Sequence, residues 1–181
     1  LLTRLGKRFD AMATVKAGTL IFAPIGAGTT ASGQPLPGVQ ITRASGDQHR
    51  YSVADREKFT GVRAYWGDRK AARRTGVLVG TSENEKKLQA TYATAEEARQ
   101  HADAEFKRLD RGTAQLSYRL AVGRADIYPE QTVTVSGFKP EIDGTDWLVA
   151  KATHTIDGSG GFITALELER GGEYSPSADA Q

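Results

Sequence analysis

Several groups of residues in this chain have the types and spacing that chemistry could use. Glu141, Asp143 and Asp146 put three carboxylates close together between two apolar stretches. A carboxylate pair flanking a glycosidic bond can hydrolyse it, one acting as acid and the other as nucleophile or base. The same run, Pro140-Glu141-Ile142-Asp143-Gly144, also has the composition of a turn, where Asp and Gly serve backbone geometry. Glu97, His101 and Glu105 stand four apart, one stripe of a helix, a geometry that can present metal ligands, although Glu97 is claimed by the helix cap and a solvated face is the better reading. The other two histidines, His49 and His154, fall in separate segments. Gly28-Thr29-Thr30-Ala31-Ser32-Gly33 has the glycine spacing of a phosphate-binding loop. Gln34-Pro35 then stands where that loop needs Lys followed by Ser or Thr, so no cation is supplied for the phosphates.

Arg69, Lys70, Arg73 and Arg74 follow Tyr65 and Trp66 directly. Cations beside aromatics can hold a nucleic-acid strand by charge and stacking. A solvated hairpin tip, or contact with an acidic surface on a partner protein, accounts for the same residues. Ser52 with Asp55, and Ser117, lack the Gly-x-Ser-x-Gly elbow of an acyl-transfer nucleophile. His154 follows Ala150 and Ala152 on a strand pattern and reads as a hydrogen-bonded, partly buried histidine rather than a base. The residues therefore assign no catalytic, cofactor-binding or metal site, and no cofactor. The question moves from which reaction to which partner.

The elements that would position these residues are mostly strands. Leu116, Tyr118, Leu120 and Val122 alternate with polar or small residues, as do Val133 and Val135, and as do Phe162, Thr164, Leu166 and Leu168. Period-two patterning marks strands with one face buried. The stretch from Leu116 to Arg170 thus reads as four strands with short turns. Before it stands one well-marked helix, Ala95 to Leu109, with Ala98, Ala102, Phe106 and Leu109 along one face. Its start, Thr94-Ala95-Glu96-Glu97, has capping-box spacing, with the Glu97 side chain expected to reach back to the Thr94 N–H. Leu2, Leu5, Phe9 and Met12 recur at helical spacing. Ala13 to Ala17 and Thr19 to Ala23 read as a hairpin turning at Gly18, and Gly26 to Gly38 as a loop. Further short strands are expected at Val39–Arg43, His49–Val53, Phe59–Trp66, Val77–Thr81 and Leu88–Tyr92, with Gly67–Gly76 a charged loop. Trp147 and Phe138 are expected to be buried anchors.

Composition bounds the rest. The chain has 181 residues, enough to bury a real core, with 39% hydrophobic and 25% charged residues. Its net charge of +2 does not mark it as a nucleic-acid binder, and the lack of cysteine excludes disulfides and thiolate chemistry. The apolar runs are too short to cross a bilayer, so no membrane insertion is expected. The fold class is α+β and β-rich. The expected division is residues 1–90, a helix with a mixed β-hairpin region; 91–171, the capped helix and a small antiparallel barrel; and 172–181, a disordered tail. The chain lacks an initiator Met and reads as part of a longer protein.

Several segments together carry a resemblance. Leu1-Leu2-Thr3-Arg4-Leu5 with Arg8-Phe9-Asp10-Ala11, Phe22-Ala23-Pro24-Ile25-Gly26 and Ile41-Thr42-Arg43-Ala44-Ser45-Gly46-Asp47 form the first group. Tyr51-Ser52-Val53-Ala54-Asp55-Arg56, Thr60-Gly61-Val62-Arg63-Ala64-Tyr65-Trp66, Tyr128-Pro129-Glu130 and Leu166-Glu167-Leu168-Glu169 continue it. The fullest segment is Val133-Thr134-Val135-Ser136-Gly137-Phe138-Lys139-Pro140-Glu141-Ile142-Asp143. As a set they resemble the phage late-control D proteins, the baseplate hubs of contractile tails, related to the hub region of VgrG and to R-type pyocin hubs. The resemblance implies a virion structural protein assembled in the host cytoplasm. It implies a homotrimeric ring of small β-barrels joining a threefold spike to a sixfold tail tube, and no catalytic residues. The partners implied are further copies of the chain, the spike, and the tube or adjacent baseplate proteins. Two rivals remain: a tail-associated cell-wall hydrolase using Glu141, Asp143 and Asp146, and a nucleic-acid-binding regulatory module using Arg69 to Arg74.

Overall fold

The computed structural model describes residues 2–16, 18–30, 32–54, 59–68 and 73–171. The chain forms two compact units that interleave along the sequence: Leu1–Ile25 with Asp55–Asp110, and Gly26–Ala54 with Arg111–Gln181. This differs from a division near residue 90. Strand pairing explains the difference, because β3 and β4 below find their partners about 60 to 95 residues further on. The tail expected at 172–181 lies outside the described residues.

The first unit opens with α1 (Leu2–Phe9), followed by an antiparallel hairpin of β1 (Ala11–Lys16) and β2 (Thr19–Pro24). Gly18 takes the positive φ of 76° that the hairpin turn requires. Met12, expected to continue the helical stripe, instead lies in β1, because the chain breaks out of the helix at Asp10. The unit continues with β5 (Gly61–Asp68), β6 (Arg73–Gly80) and β7 (Glu85–Tyr92), in the order β6-β5-β7. α2 (Ala95–Arg111) packs on one face of this sheet. Its Ala98 and Ala102 are fully buried against Val62 and Ala64, so small residues bring the helix close to the strands. Trp66, Val77, Val79, Leu88, Phe106 and Leu109 complete that core.

The second unit is a curled six-stranded sheet in the order β3-β9-β10-β11-β8-β4. The strands are β3 (Val39–Thr42), β4 (Gly46–Val53), β8 (Ala114–Leu120), β9 (Thr132–Ser136), β10 (Trp147–Asp157) and β11 (Gly161–Arg170). One helical turn, α3 (Pro140–Asp143), bridges β9 and β10. The sheet is mixed rather than purely antiparallel, because β3 runs parallel to β9. Its two end strands, β3 and β4, are joined by a single 3-10 turn, Arg43–Ser45. The Tyr118 hydroxyl donates to the carbonyls of Thr42 and Arg43 at that corner, which helps the sheet curl back on itself.

The alternation read from sequence sets the inside of this half-barrel. Leu116, Tyr118, Leu120, Val133, Val135, Leu166 and Leu168 are all buried. Val122, expected on the same face, is 75% exposed because β8 ends at Leu120 and the chain turns away. In β10 a bulge between Val149 and Lys151 resets the register, so Val149 is buried while Ala150 is exposed. Trp147 is fully buried as expected. Phe138 is only half-buried and packs its edge against Tyr118 and His49.

Candidate functional site

Of the three carboxylates at the β9–β10 connection, Asp143 has structural work. Both oxygens of Asp143 accept backbone N–H groups, from Gly137 at 2.9 Å and Phe138 at 3.1 Å. The side chain thereby closes the turn, as an Asp in such a sequence is suited to do. Glu141 and Asp146 are exposed, while Ile142 between them is buried in the half-barrel. A carboxylate already satisfied by two amides is poorly placed as a nucleophile.

The helical stripe of Glu97, His101 and Glu105 is likewise divided among other tasks. The Glu97 N–H donates to the Thr94 hydroxyl at 3.1 Å, and its carboxylate accepts from the Ala93 N–H at 3.2 Å. The Thr94 hydroxyl thus caps the helix as expected from sequence, while the return bond from Glu97 goes to the Ala93 N–H rather than the Thr94 N–H. The Glu97 carboxylate also pairs with Arg8 of α1. His101 stacks on Tyr92, with ring centroids 4.2 Å apart and planes 21° from parallel. Burial, together with the Arg8 charge, holds the His101 imidazole below its ordinary pKa, while burial and Glu97 push the Tyr92 phenol up. Glu105 is buried and takes Lys86 of β7 at 2.7 Å, with Arg108 on its other side. The stripe fastens α2 to α1 and β7, and no cluster of three metal-ligating side chains occurs among the described residues.

The Thr94 cap leads to an expected result. Thr94→Ala should lower stability by about 1 kcal/mol, since an orphaned helix N–H is left without its hydroxyl acceptor. Denaturant unfolding of the two proteins measures it. Self-association of the folded variant should be unchanged; if association failed at undiminished stability, the residue would have a role beyond capping.

The basic segment is split by the sheet. Arg69 and Lys70 lie outside the described residues, and Arg73 and Arg74 belong to β6 rather than to a loop. Tyr65 and Trp66, adjacent in sequence, point to opposite faces of β5. Trp66 packs in the α2 core, whereas Tyr65 lies under the Arg74 guanidinium at 3.9 Å from the ring centroid. One aromatic is thus removed from any strand-binding platform and the other already carries a cation. Residues 28–30 and 32–33 form a turn in which the Thr30 hydroxyl bonds the Ser32 hydroxyl and accepts the Gln34 N–H, and the next element among the described residues is a strand rather than a helix that could receive a phosphate.

His154 has both ring nitrogens bonded, Nδ1 with the Thr164 hydroxyl at 3.0 Å and Nε2 with the Ile127 carbonyl at 3.1 Å. Thr164 is fully buried and accepts the Arg124 N–H at 2.9 Å. The histidine therefore pins the 121–131 connection to the β10–β11 hairpin. Ser52 and Ser117 lie on β4 and β8, and Asp55 is outside the described residues. No helix among the described residues is long and apolar enough to cross a membrane.

What the geometry does offer is surface for assembly. Among the described residues the β1–β2 sheet has two open edges, β6 and β7 are edge strands, and β10 pairs with β9 only at Trp147 and Leu148. Open edges of this kind are pairing sites for other chains. Sequence reasoning missed where the exposed apolar residues gather, because period-two alternation in β1 and β2 does not say which face is covered.

No family model matches this chain. It is 37% identical to the probable baseplate hub protein of Escherichia phage 186, over 93% of this chain and 54% of that protein. It is 38% identical to the probable baseplate hub protein of Escherichia phage P2, with the same coverage. The chain thus spans about half the length of the curated relatives it matches. Among solved structures it resembles the 43 kDa tail protein of prophage MuSo2 from Shewanella oneidensis. That match has a TM-score of 0.64 at 19% identity and covers 93% of this chain and 52% of the other. At that identity the structural likeness speaks for the fold, a β-rich tail-protein fold.

Proposed function

We propose, from the premise that this chain is a homologue of phage baseplate hub proteins, that it builds the structural framework of a tail hub in the virion. The observation that carries this reading is the 37–38% identity to two curated hub proteins along 93% of the chain. The geometry supports it in kind. Asp143, Glu97 and Glu105, drawn from the two carboxylate-bearing clusters, are engaged in turn closure, capping or inter-element ion pairs. The open strand edges suit a subunit completed by its neighbours.

The finer reading is a homotrimeric ring that joins the spike to the tail tube. The partners would be two further copies of the chain, the spike protein, and tube or adjacent baseplate proteins. The hub is a scaffold, not an enzyme, and it binds no cofactor. The test is light scattering on the full protein, alone and with the spike protein. A mass of three chains is expected, rising when the spike is added. A monomer under both conditions would overturn the ring.

A further inference from the structure

Six of the nine exposed large hydrophobic side chains among the described residues fall in two places, one in each unit. In the first unit, the cross-strand pairs Val15↔Leu20 and Ala13↔Phe22 put their side chains on one face of the β1–β2 hairpin. Val15 is 64%, Leu20 51% and Phe22 45% exposed, and Phe9 of α1 extends the patch by an edge contact with Phe22 at 6.3 Å. A two-stranded sheet with an uncovered apolar face is short of the burial that independent stability needs. In the second unit, Ile156 and Val122 are 80% and 75% exposed. They are drawn together at the end of the β10–β11 hairpin, where Phe162 pairs with Ile156 and its carbonyl accepts the Gly123 N–H.

The two patches differ in charge. Besides Arg8, which is paired with Glu97, α1 carries Arg4 and Lys7 and no acidic residue. Two such surfaces brought face to face would repel. The hairpin end of the second unit turns at Asp157, whose carboxylate is held below the usual range by the N–H groups of Gly160 and Ser159 and by the Ser159 hydroxyl. It therefore keeps a negative charge beside the apolar tip. Backbone groups are also complementary. Both edges of the β1–β2 sheet are open, and β10 has no strand partner on its outer side from Lys151 to Asp157 among the described residues.

A closed ring of identical subunits needs a heterologous contact, in which two different patches of each copy meet. We propose that the apolar face of the β1–β2 hairpin of one copy seats on the β10–β11 hairpin end of the next. Arg4 and Lys7 of α1 lie beside Asp157 in that contact. It rests on the reading of the chain as a ring-forming hub, and it names the surfaces that close the ring.

The test uses Val15→Asp and Ile156→Asp in the full protein, with masses measured by light scattering. Both side chains are largely in water, so each variant should fold, as circular dichroism would verify; Val15→Ser and Ile156→Ser replace them where an aspartate disturbs folding. The unaltered chain is expected at three chain masses and each variant at one. An equal mixture of the two variants is expected at two chain masses, because only one good pair of patches remains and the complex cannot grow. If either variant still assembles to three, or if the mixture stays at one, this contact is overturned while the ring reading stands. An unaltered chain that never associates overturns both.

Discussion

Trp147→Ala is expected to lower the stability of the second unit by about 3–5 kcal/mol, the range for truncating a large buried aromatic. Trp147 is 1% exposed and stands at the start of β10, opposite Val133 of β9 and Arg170 of β11. Its indole N–H donates to the Ile142 carbonyl at 3.0 Å, and its ring takes the edge of Tyr51 at 6.2 Å. The substitution removes three things together: packing volume at the junction of three strands, an aromatic contact, and the donor for a buried carbonyl of α3. Trp147→Phe separates them. It keeps most of the ring but orphans the carbonyl, and should cost about 1–3 kcal/mol. Against a total stability of about 5–15 kcal/mol, the alanine variant stands near the limit of folding. Urea unfolding followed by far-UV circular dichroism measures both. Alanine and phenylalanine variants within about 1 kcal/mol of the parent would show that the residue is not the anchor its burial indicates.

That Trp147 is an anchor was legible in the sequence, and the reason generalises. Strands β8, β9 and β11 obey strict alternation because one face meets the core and the other meets water, so their buried residues could be named in advance. The same holds for α2, whose Thr94 cap and alanine face are local features. The pairing of β3 with β9 and of β4 with β8 was not legible. Val39–Thr42 carries no mark of a partner more than 90 residues away, and a short alternating run fits a parallel or an antiparallel neighbour equally well. Hence a chain that interleaves two units read as two successive ones. The candidate site followed the same rule. Spacing alone suggested ligands at Glu97, His101 and Glu105, but their partners Arg8, Tyr92 and Lys86 come from other elements. Spacing within one helix could not reveal them.

The second large effect is expected at a position with no side chain. Gly80 ends β6 with φ at +82°, and a Cβ built there would lie 2.3 Å from the Thr60 carbonyl oxygen, 2.8 Å from the Gly61 Cα and 3.1 Å from the Phe106 ring. Two backbone segments cross here, held by the Thr81 N–H donating to the Thr60 carbonyl at 2.8 Å, and Phe106 of α2 closes over the crossing. Gly80→Ala combines the left-handed backbone penalty with overpacking against main chain that cannot yield as a flexible side chain could. About 2–5 kcal/mol of stability should be lost. Gly18→Ala isolates the first term. Its φ is +76°, yet nothing lies within 4 Å of the added methyl, so about 1–2 kcal/mol is expected. Thermal and urea unfolding of both variants compares them under the same conditions. Equal losses would mean that the crossing at Gly80 opens freely. A loss at Gly80 larger by ~1 kcal/mol or more would locate the rigidity of the first unit at the point where α2 meets the end of β6. The sequence marks that point only by a glycine and a phenylalanine 26 residues apart.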